Sequence, residues 1–155
     1  MKAKKTLWLM LGIALILVFP ACTRHEVSSP SPTGPSTYGI VLKLTASPNV
    51  LFAGSSRQSA TITATLKNWD GSGLANKTIY FQINDSLNRS ASIGYLEGHK
   101  NMVAKTTDGG GDVTIVYYGP IKTEIKGNTV VHIWATAAME GTTFIQDFAE
   151  LAILR

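Results

Sequence analysis

The sequence predicts an all-β protein, a sandwich of two sheets built from seven or eight short strands. Three observations carry this reading. From residue 38 onward apolar and polar residues alternate with a period of two. β-Branched residues crowd those stretches, and clusters of Gly, Asn, Asp and Pro punctuate them. No segment of the mature chain shows an apolar stripe at helical spacing.

The strands follow in order. Residues 39–46 alternate and end at the turn Ser47-Pro48-Asn49. Residues 59–68 (SATITATLKN) place Ala60, Ile62, Ala64 and Leu66 on one face and Thr61, Thr63, Thr65 and Lys67 on the other. After Asp70-Gly71-Ser72-Gly73, residues 78–84 point Ile79, Phe81 and Ile83 inward. Residues 91–96 and 102–106 are weaker strands. Residues 112–118 follow Asp108-Gly109-Gly110-Gly111, with Val113, Ile115 and Tyr117 inward. Residues 129–137 follow Gly119-Pro120 and direct Val131, Ile133 and Ala135 to the core, and residues 142–154 close the series after Glu140-Gly141. Gly, Asn and Asp belong in these turns because tight hairpins need positive φ. The expected core is Ile62, Leu66, Ile79, Phe81, Val113, Ile115, Val131 and Ile133, held between the two sheets. Residues 38–155 suffice for one core, and no internal repeat divides them.

The start of the chain reads differently. Lys2, Lys4 and Lys5 precede an uncharged run at residues 7–19 (LWLMLGIALILVF). That run is short for a membrane span, which needs about 20 apolar residues, and fits the roughly 7–15 of a secretory signal core. Phe19-Pro20-Ala21-Cys22 then sets a small residue before the chain's single cysteine. This resembles the lipobox of bacterial lipoproteins, with Phe19 where Leu is usual and Pro20 where a small residue is more common. The resemblance implies a signal at residues 1–21 cut before Cys22, acylation of Cys22, and anchoring in a membrane by lipid. Thr23 stands where Asp resembles an inner-membrane retention signal, which favours the outer membrane in a Gram-negative cell. Residues 23–37 (TRHEVSSPSPTGPST) hold three of six prolines and no apolar periodicity, so residues 22–37 read as the lipidated cysteine and an extended tether.

Composition and motifs exclude several classes. Net charge is +4, but without residues 1–21 eleven bases face ten acids, a net of +1. A nearly neutral product lacks the cationic field of a nucleic-acid binder. One cysteine excludes an internal disulfide framework and a Cys-based zinc site. His25 falls in the tether, His99 in a polar loop and His132 on a strand, with no GxSxG or HExxH motif, so no catalytic residues, metal site or cofactor are expected. Asp108-Gly-Gly-Gly-Asp112 reads as a turn between strands in preference to a calcium loop.

The order of motifs carries a further resemblance. Leu44-Thr45-Ala46-Ser47-Pro48 leads to Ala53-Gly54-Ser55-Ser56, the threonine-rich strand, Asp70-Gly71-Ser72-Gly73-Leu74-Ala75 and Ile79–Phe81. Thr106-Thr107-Asp108, then Gly111-Asp112-Val113-Thr114-Ile115 and VVHIWATA at residues 130–137, complete it. This resembles a bacterial immunoglobulin-like domain of group 1, the module repeated in intimin- and invasin-type adhesins, over about residues 40–154. Residues 84–103 are longer and more polar than the family pattern, and the module occurs singly. The resemblance implies an immunoglobulin-like β-sandwich in the cell envelope and supplies no ligand.

Parity also suggests a binding surface. If residues 112–118 and 129–137 lie side by side, Tyr118, His132 and Trp134, with Val116, form an exposed aromatic strip, and Trp69 adds an aromatic at one end. The alternative for such a strip is cross-strand pairing that only stabilises the sheet. The expected function is non-catalytic: a lipid-anchored envelope module acting in adhesion or in binding a protein or glycan. The alternative is a structural or assembly lipoprotein that spaces or contacts another envelope component.

Overall fold

The computed structural model describes residues 39–139 and 143–155. The expected signal (1–21), Cys22 and the tether (22–37) lie outside the described residues, as does the Glu140-Gly141 turn. Along the chain run β1 (Ile40–Ser47), β2 (Val50–Phe52), β3 (Ser59–Asn68), β4 (Thr78–Asp85), β5 (Tyr95–Leu96), β6 (Met102–Thr106), β7 (Asp112–Tyr118), β8 (Thr129–Ala138) and β9 (Phe144–Leu154). They form two sheets, a four-stranded one in the order β1-β3-β7-β5 and a five-stranded one in the order β2-β9-β8-β4-β6. The first has the ABED order, and β9-β8-β4 the GFC order, of immunoglobulin-like sandwiches.

Alternation sets which residues face inward. Leu42, Leu44, Ala60, Ile62, Ala64, Leu66, Val113, Ile115 and Tyr117 project from the four-stranded sheet. They meet Leu51, Ile79, Phe81, Ile83, Val131, Ile133, Ala135, Leu151 and Ile153 from the other. All eight expected core residues are buried, with Phe81 at 0% exposure and Val113 the most accessible at 7%. Tyr117 reaches the polar edge of this core, where its hydroxyl donates to the Ile93 carbonyl at 2.8 Å. Burial pushes that phenol well above its ordinary pKa.

Both open sides of the sandwich are tied by polar side chains. On one, Lys105 Nζ on β6 meets Glu97 Oε1 at 2.7 Å and donates to the Thr114 carbonyl on β7 at 3.0 Å. On the other, Asp147 on β9 accepts from the backbone N–H of Leu44 on β1 at 2.7 Å. Edge strands with unmet N–H and C=O groups invite pairing with other chains, and these contacts blunt them.

The structure departs from the sequence reading in three places. Val50–Phe52 is an additional strand: after Pro48 the chain changes sheets and pairs in parallel with Ala152–Leu154. Three residues are too few for alternation to register. Residues 91–96 shrink to β5, because Gly94 turns to φ +70° and a Cβ there would stand 2.3 Å from the Tyr118 carbonyl. Most consequentially, β7 and β8 are not neighbours; they lie in opposite sheets. A two-residue turn would force pairing, but residues 119–128 are long enough to cross the roughly 10 Å between sheets. The crossing is pinned to the loop after β2. Gly119 N–H donates to Gln58 at 2.9 Å, Lys122 N–H to Gly54 at 2.9 Å, and Arg57 pairs with Glu124 while its Nη1 donates to Gly119 at 2.9 Å.

Phe81 spans the centre of the core, so Phe81→Ala is expected to lower stability by roughly 3–5 kcal/mol in denaturant titration. A loss below about 1 kcal/mol, the range of surface substitutions, would contradict the packing described.

Candidate functional site

The outer faces of the two sheets differ in chemistry. On the four-stranded sheet β3 presents Thr61, Thr63, Thr65 and Lys67, and β1 presents Lys43 and Thr45. On the five-stranded sheet the outward residues are largely aromatic, aliphatic or amide. Nine large hydrophobic residues are exposed among the described residues, and six of them (Val50, Phe52, Tyr80, Met102, Phe144 and Phe148) lie on this one face.

Register lines these side chains up in rows across the sheet. Met102 on β6 pairs with Gln82 on β4, Gln82 with Trp134 on β8, and Trp134 with Phe148 on β9. The next row runs Tyr80, Thr136, Gln146, and the row on the other side runs Asn84, His132, Glu150. Over Gln82 the surface dips into an open cup of about 330 Å³. Trp134 and Met102 flank Gln82 as its walls, Tyr80 with Thr136 and Gln146 closes one end, and Asn84 with Asn88 closes the other. No lining residue is charged.

Asn88 organises one end of the cup from the loop after β4. That loop is held by Asp85, whose Oδ1 accepts from the backbone N–H groups of Leu87 (2.8 Å) and Arg89 (2.9 Å). Asp85 Oδ2 accepts from Arg89 Nε at 2.9 Å and meets Nη2 at 2.8 Å, so both guanidinium nitrogens converge on one oxygen. The Arg89 amide first, and its guanidinium next, hold the Asp85 carboxyl below the usual carboxylate range. The turn carries Asn88 at φ +59°, a conformation that Asn tolerates better than most residues.

From there Asn88 Oδ1 lies 3.2 Å from Trp134 Nε1 and 2.8 Å from His132 Nδ1. The indole N–H can only donate, so the Asn88 atom facing it is the carbonyl oxygen, and His132 carries its hydrogen on Nδ1. Phe148 backs both rings, 5.1 Å from Trp134 in a stacked arrangement and 4.9 Å from His132 in a tilted one. Asn84 donates through Nδ2 to the Asn88 backbone carbonyl at 3.1 Å, while its Oδ1 is buried with no partner among the described residues. A buried acceptor left unmade costs about 1–3 kcal/mol. On the row at the opposite end, Gln146 Nε2 donates to Thr136 Oγ1 at 2.9 Å.

The residues expected to form one surface are thus separated. Trp134 and His132 share the five-stranded face, but His132 is only 9% exposed, enclosed by Asn88, Phe148 and Glu150. Tyr118 and Val116 belong to the other sheet, where Tyr118 packs on Tyr95 at 5.3 Å. This corrects the expected strip, whose members could meet only if β7 and β8 paired. Trp69 is 80% exposed in the turn after β3, beside Gly39 and away from the cup. The partners missed by the sequence reading are Tyr80, Gln82, Met102 and Phe148. The same parity rule, applied to β4, β6 and β9, reaches them once those strands are known to flank β8. Asn88 had no such signal, since its role depends on the loop folding back.

Among the described residues no group of three or more His, Cys, Asp or Glu could hold a metal ion. In the Asp108–Asp112 turn, Asp108 Oδ1 accepts from the Gly110 and Asp112 amides at 2.8 and 2.9 Å, and Asp112 Oδ1 accepts from Thr65. The cup presents aromatic planes and amide groups.

No family profile matches the sequence, and no curated protein does. Among solved structures the domain is similar to the E. coli chaperone DraB, with TM-score 0.50, 10% identity, and coverage of 74% of this chain and 55% of that one. It is also similar to the periplasmic chaperone SfaE (TM-score 0.49, 11% identity, 74% and 57% covered). The ASH/PapD-like domain of human CEP192 aligns over 87% of this chain and 96% of its own length, with TM-score 0.45 and 6% identity. The chain spans little more than half the length of the two chaperones. The likeness to DraB, at 10% identity, speaks to fold alone, and it agrees with the immunoglobulin-like strand orders of the two sheets.

Two outcomes test the architecture of the cup. Asn88→Ala removes the acceptor shared by Trp134 and His132, and is expected to destabilise by about 1–3 kcal/mol and to shift tryptophan emission. Unchanged emission would contradict the shared hydrogen bond. Because folding lowers the Asp85 pKa, its stabilisation is complete above the unfolded value of about 3.9 and disappears as pH falls through the lower folded value. Acidification through that window should therefore loosen residues 85–89 and change Trp134 emission. Asp85→Asn should show the changed emission already at neutral pH, with the acid step diminished.

Proposed function

We propose that this chain is a non-catalytic binding module of the bacterial cell envelope, anchored by lipid on Cys22 and displayed on the tether of residues 22–37. In this reading the module acts in adhesion, and the outer face of the five-stranded sheet is its recognition surface. One observation carries the choice of face: six of nine exposed large hydrophobic residues lie on it, three of them (Tyr80, Met102 and Phe148) in Trp134's row or the next, while the opposite face is threonine- and lysine-rich. Large aromatics give much contact area for little lost conformational entropy, which is why they dominate recognition surfaces. A module of the intimin and invasin type on a lipoprotein is supported by the motif order, the signal-like N-terminus and the sandwich fold.

The test uses the full chain in cells. Cys22→Ser should abolish labelling by a radioactive fatty acid and release the protein from membranes; labelling that persists would end the lipoprotein reading. Protease added to intact cells should remove the domain, and Phe148→Ser should reduce attachment of the cells to a host surface while the domain remains folded at the assay temperature. A domain protected from protease, with attachment unaffected, would overturn adhesion in favour of an assembly role inside the envelope.

A further inference from the structure

We infer that the cup over Gln82 is a saccharide site, taking a neutral sugar unit of a glycan; this rests on the reading of the five-stranded face as a recognition surface. Four features of the cup select that class. First, it has flat aromatic surfaces: Trp134 on one wall, backed by Phe148 at 5.1 Å, and Tyr80 at one end, 45% exposed. A pyranose ring presents a face of C–H bonds that lies against the negative face of an aromatic ring. Second, the remaining lining is amide and hydroxyl: Gln82, Asn84, Asn88, Gln146 and Thr136. An amide carries a donor and an acceptor side by side, the pattern that adjacent sugar hydroxyls, each both donor and acceptor, complement.

Third, no charged side chain lines the cup. Phosphorylated and carboxylated ligands would find no counter-ion there, and an anionic ligand would meet Glu150 in the neighbouring row. Fourth, the cup is organised before any ligand arrives. Asn88 holds the Trp134 indole at 3.2 Å, and Thr136 holds Gln146 at 2.9 Å. Asn84 is fixed as well, its Nδ2 donating to the Asn88 backbone carbonyl at 3.1 Å. Side chains fixed in place lose little freedom on binding, which matters for a small, open site. Its volume of about 330 Å³ falls at the lower end of small-molecule sites, enough for a sugar unit in place of a folded partner.

The experiment uses the full chain purified in a polyoxyethylene detergent, so that no sugar headgroup competes. Trp69→Phe leaves Trp134 as the sole tryptophan of residues 38–155. The probes are cellotetraose, maltotetraose, triacetylchitotriose and mannotriose, each to about 10 mM, at which a site of about 1 mM affinity is nearly filled. At least one should change Trp134 emission saturably and shift the side-chain amide resonances of Gln82 and Asn84. Gln82→Leu, similar in size, should weaken that binding about tenfold or more with the thermal midpoint retained. Trp134→Phe should keep part of the affinity and Trp134→Ala should lose it. If no probe moves emission or the amides, the saccharide assignment fails. Phe148→Ser still reports separately on the recognition face, because reduced attachment of cells without sugar binding would mean a protein ligand on the same surface. Binding that persists unchanged in Gln82→Leu and Trp134→Ala would likewise overturn the site.

Discussion

Mutual burial of two apolar faces is the constraint on which the rest of this domain depends. Each strand has only two faces, and every second residue must enter the space between the sheets if that space is to be filled without voids. Ile62, Leu66, Ile79, Phe81, Val131 and Ile133 satisfy this with 0% exposure. Once they are inside, their neighbours in sequence have no choice but to face out. The position of Trp134 on the surface is therefore a consequence of burying Ile133 and Ala135 on either side of it.

What an outward residue meets depends on where its strand sits in the sheet. β8 is the middle strand of five, flanked by β9 and β4. Its outward side chains are consequently crowded from both sides: Trp134 by Phe148 and Gln82, His132 by Glu150 and Asn84. Central placement converts a row of separate aromatics into a packed cluster that bounds a concavity. β3 is flanked just as closely, by β1 and β7, yet its outward threonines make a flat polar surface. The asymmetry between the two outer faces thus comes from composition, and the depth of the cup from a smaller Gln82 between Trp134 and Met102.

The loop from Asp85 to Arg89 adds what a sheet cannot. Strand side chains stand roughly perpendicular to the sheet, so a planar aromatic on a strand has no polar partner above it unless a loop supplies one. Asp85 gathers the loop by accepting from two backbone amides and the Arg89 guanidinium, and the resulting turn delivers Asn88 over β8. The glycine-rich turns do comparable work at the end of the sandwich where β3 meets β7. A Cβ on Gly73 would fall 2.1 Å from the Gly110 carbonyl, and one on Gly111 2.2 Å from the Leu66 carbonyl, so the two turns touch backbone to backbone.

The sequence by itself determined the fold class, the strands of five residues or more, and the parity of β3, β4, β7 and β8, because alternation and turn chemistry are local and repeat often enough to be read. Its eight core residues are buried for the same reason. Tertiary structure decided which strands are neighbours. Residues 119–128 do not declare whether they turn back or cross, and the crossing, held by Gly54, Arg57 and Gln58, placed Tyr118 and Trp134 in different sheets. It also decided the candidate site, since Met102, Gln82, Trp134 and Phe148 come from four strands and meet only through pairings distant in sequence. Parity says which way a side chain points, and only the register of a folded sheet says what stands next to it.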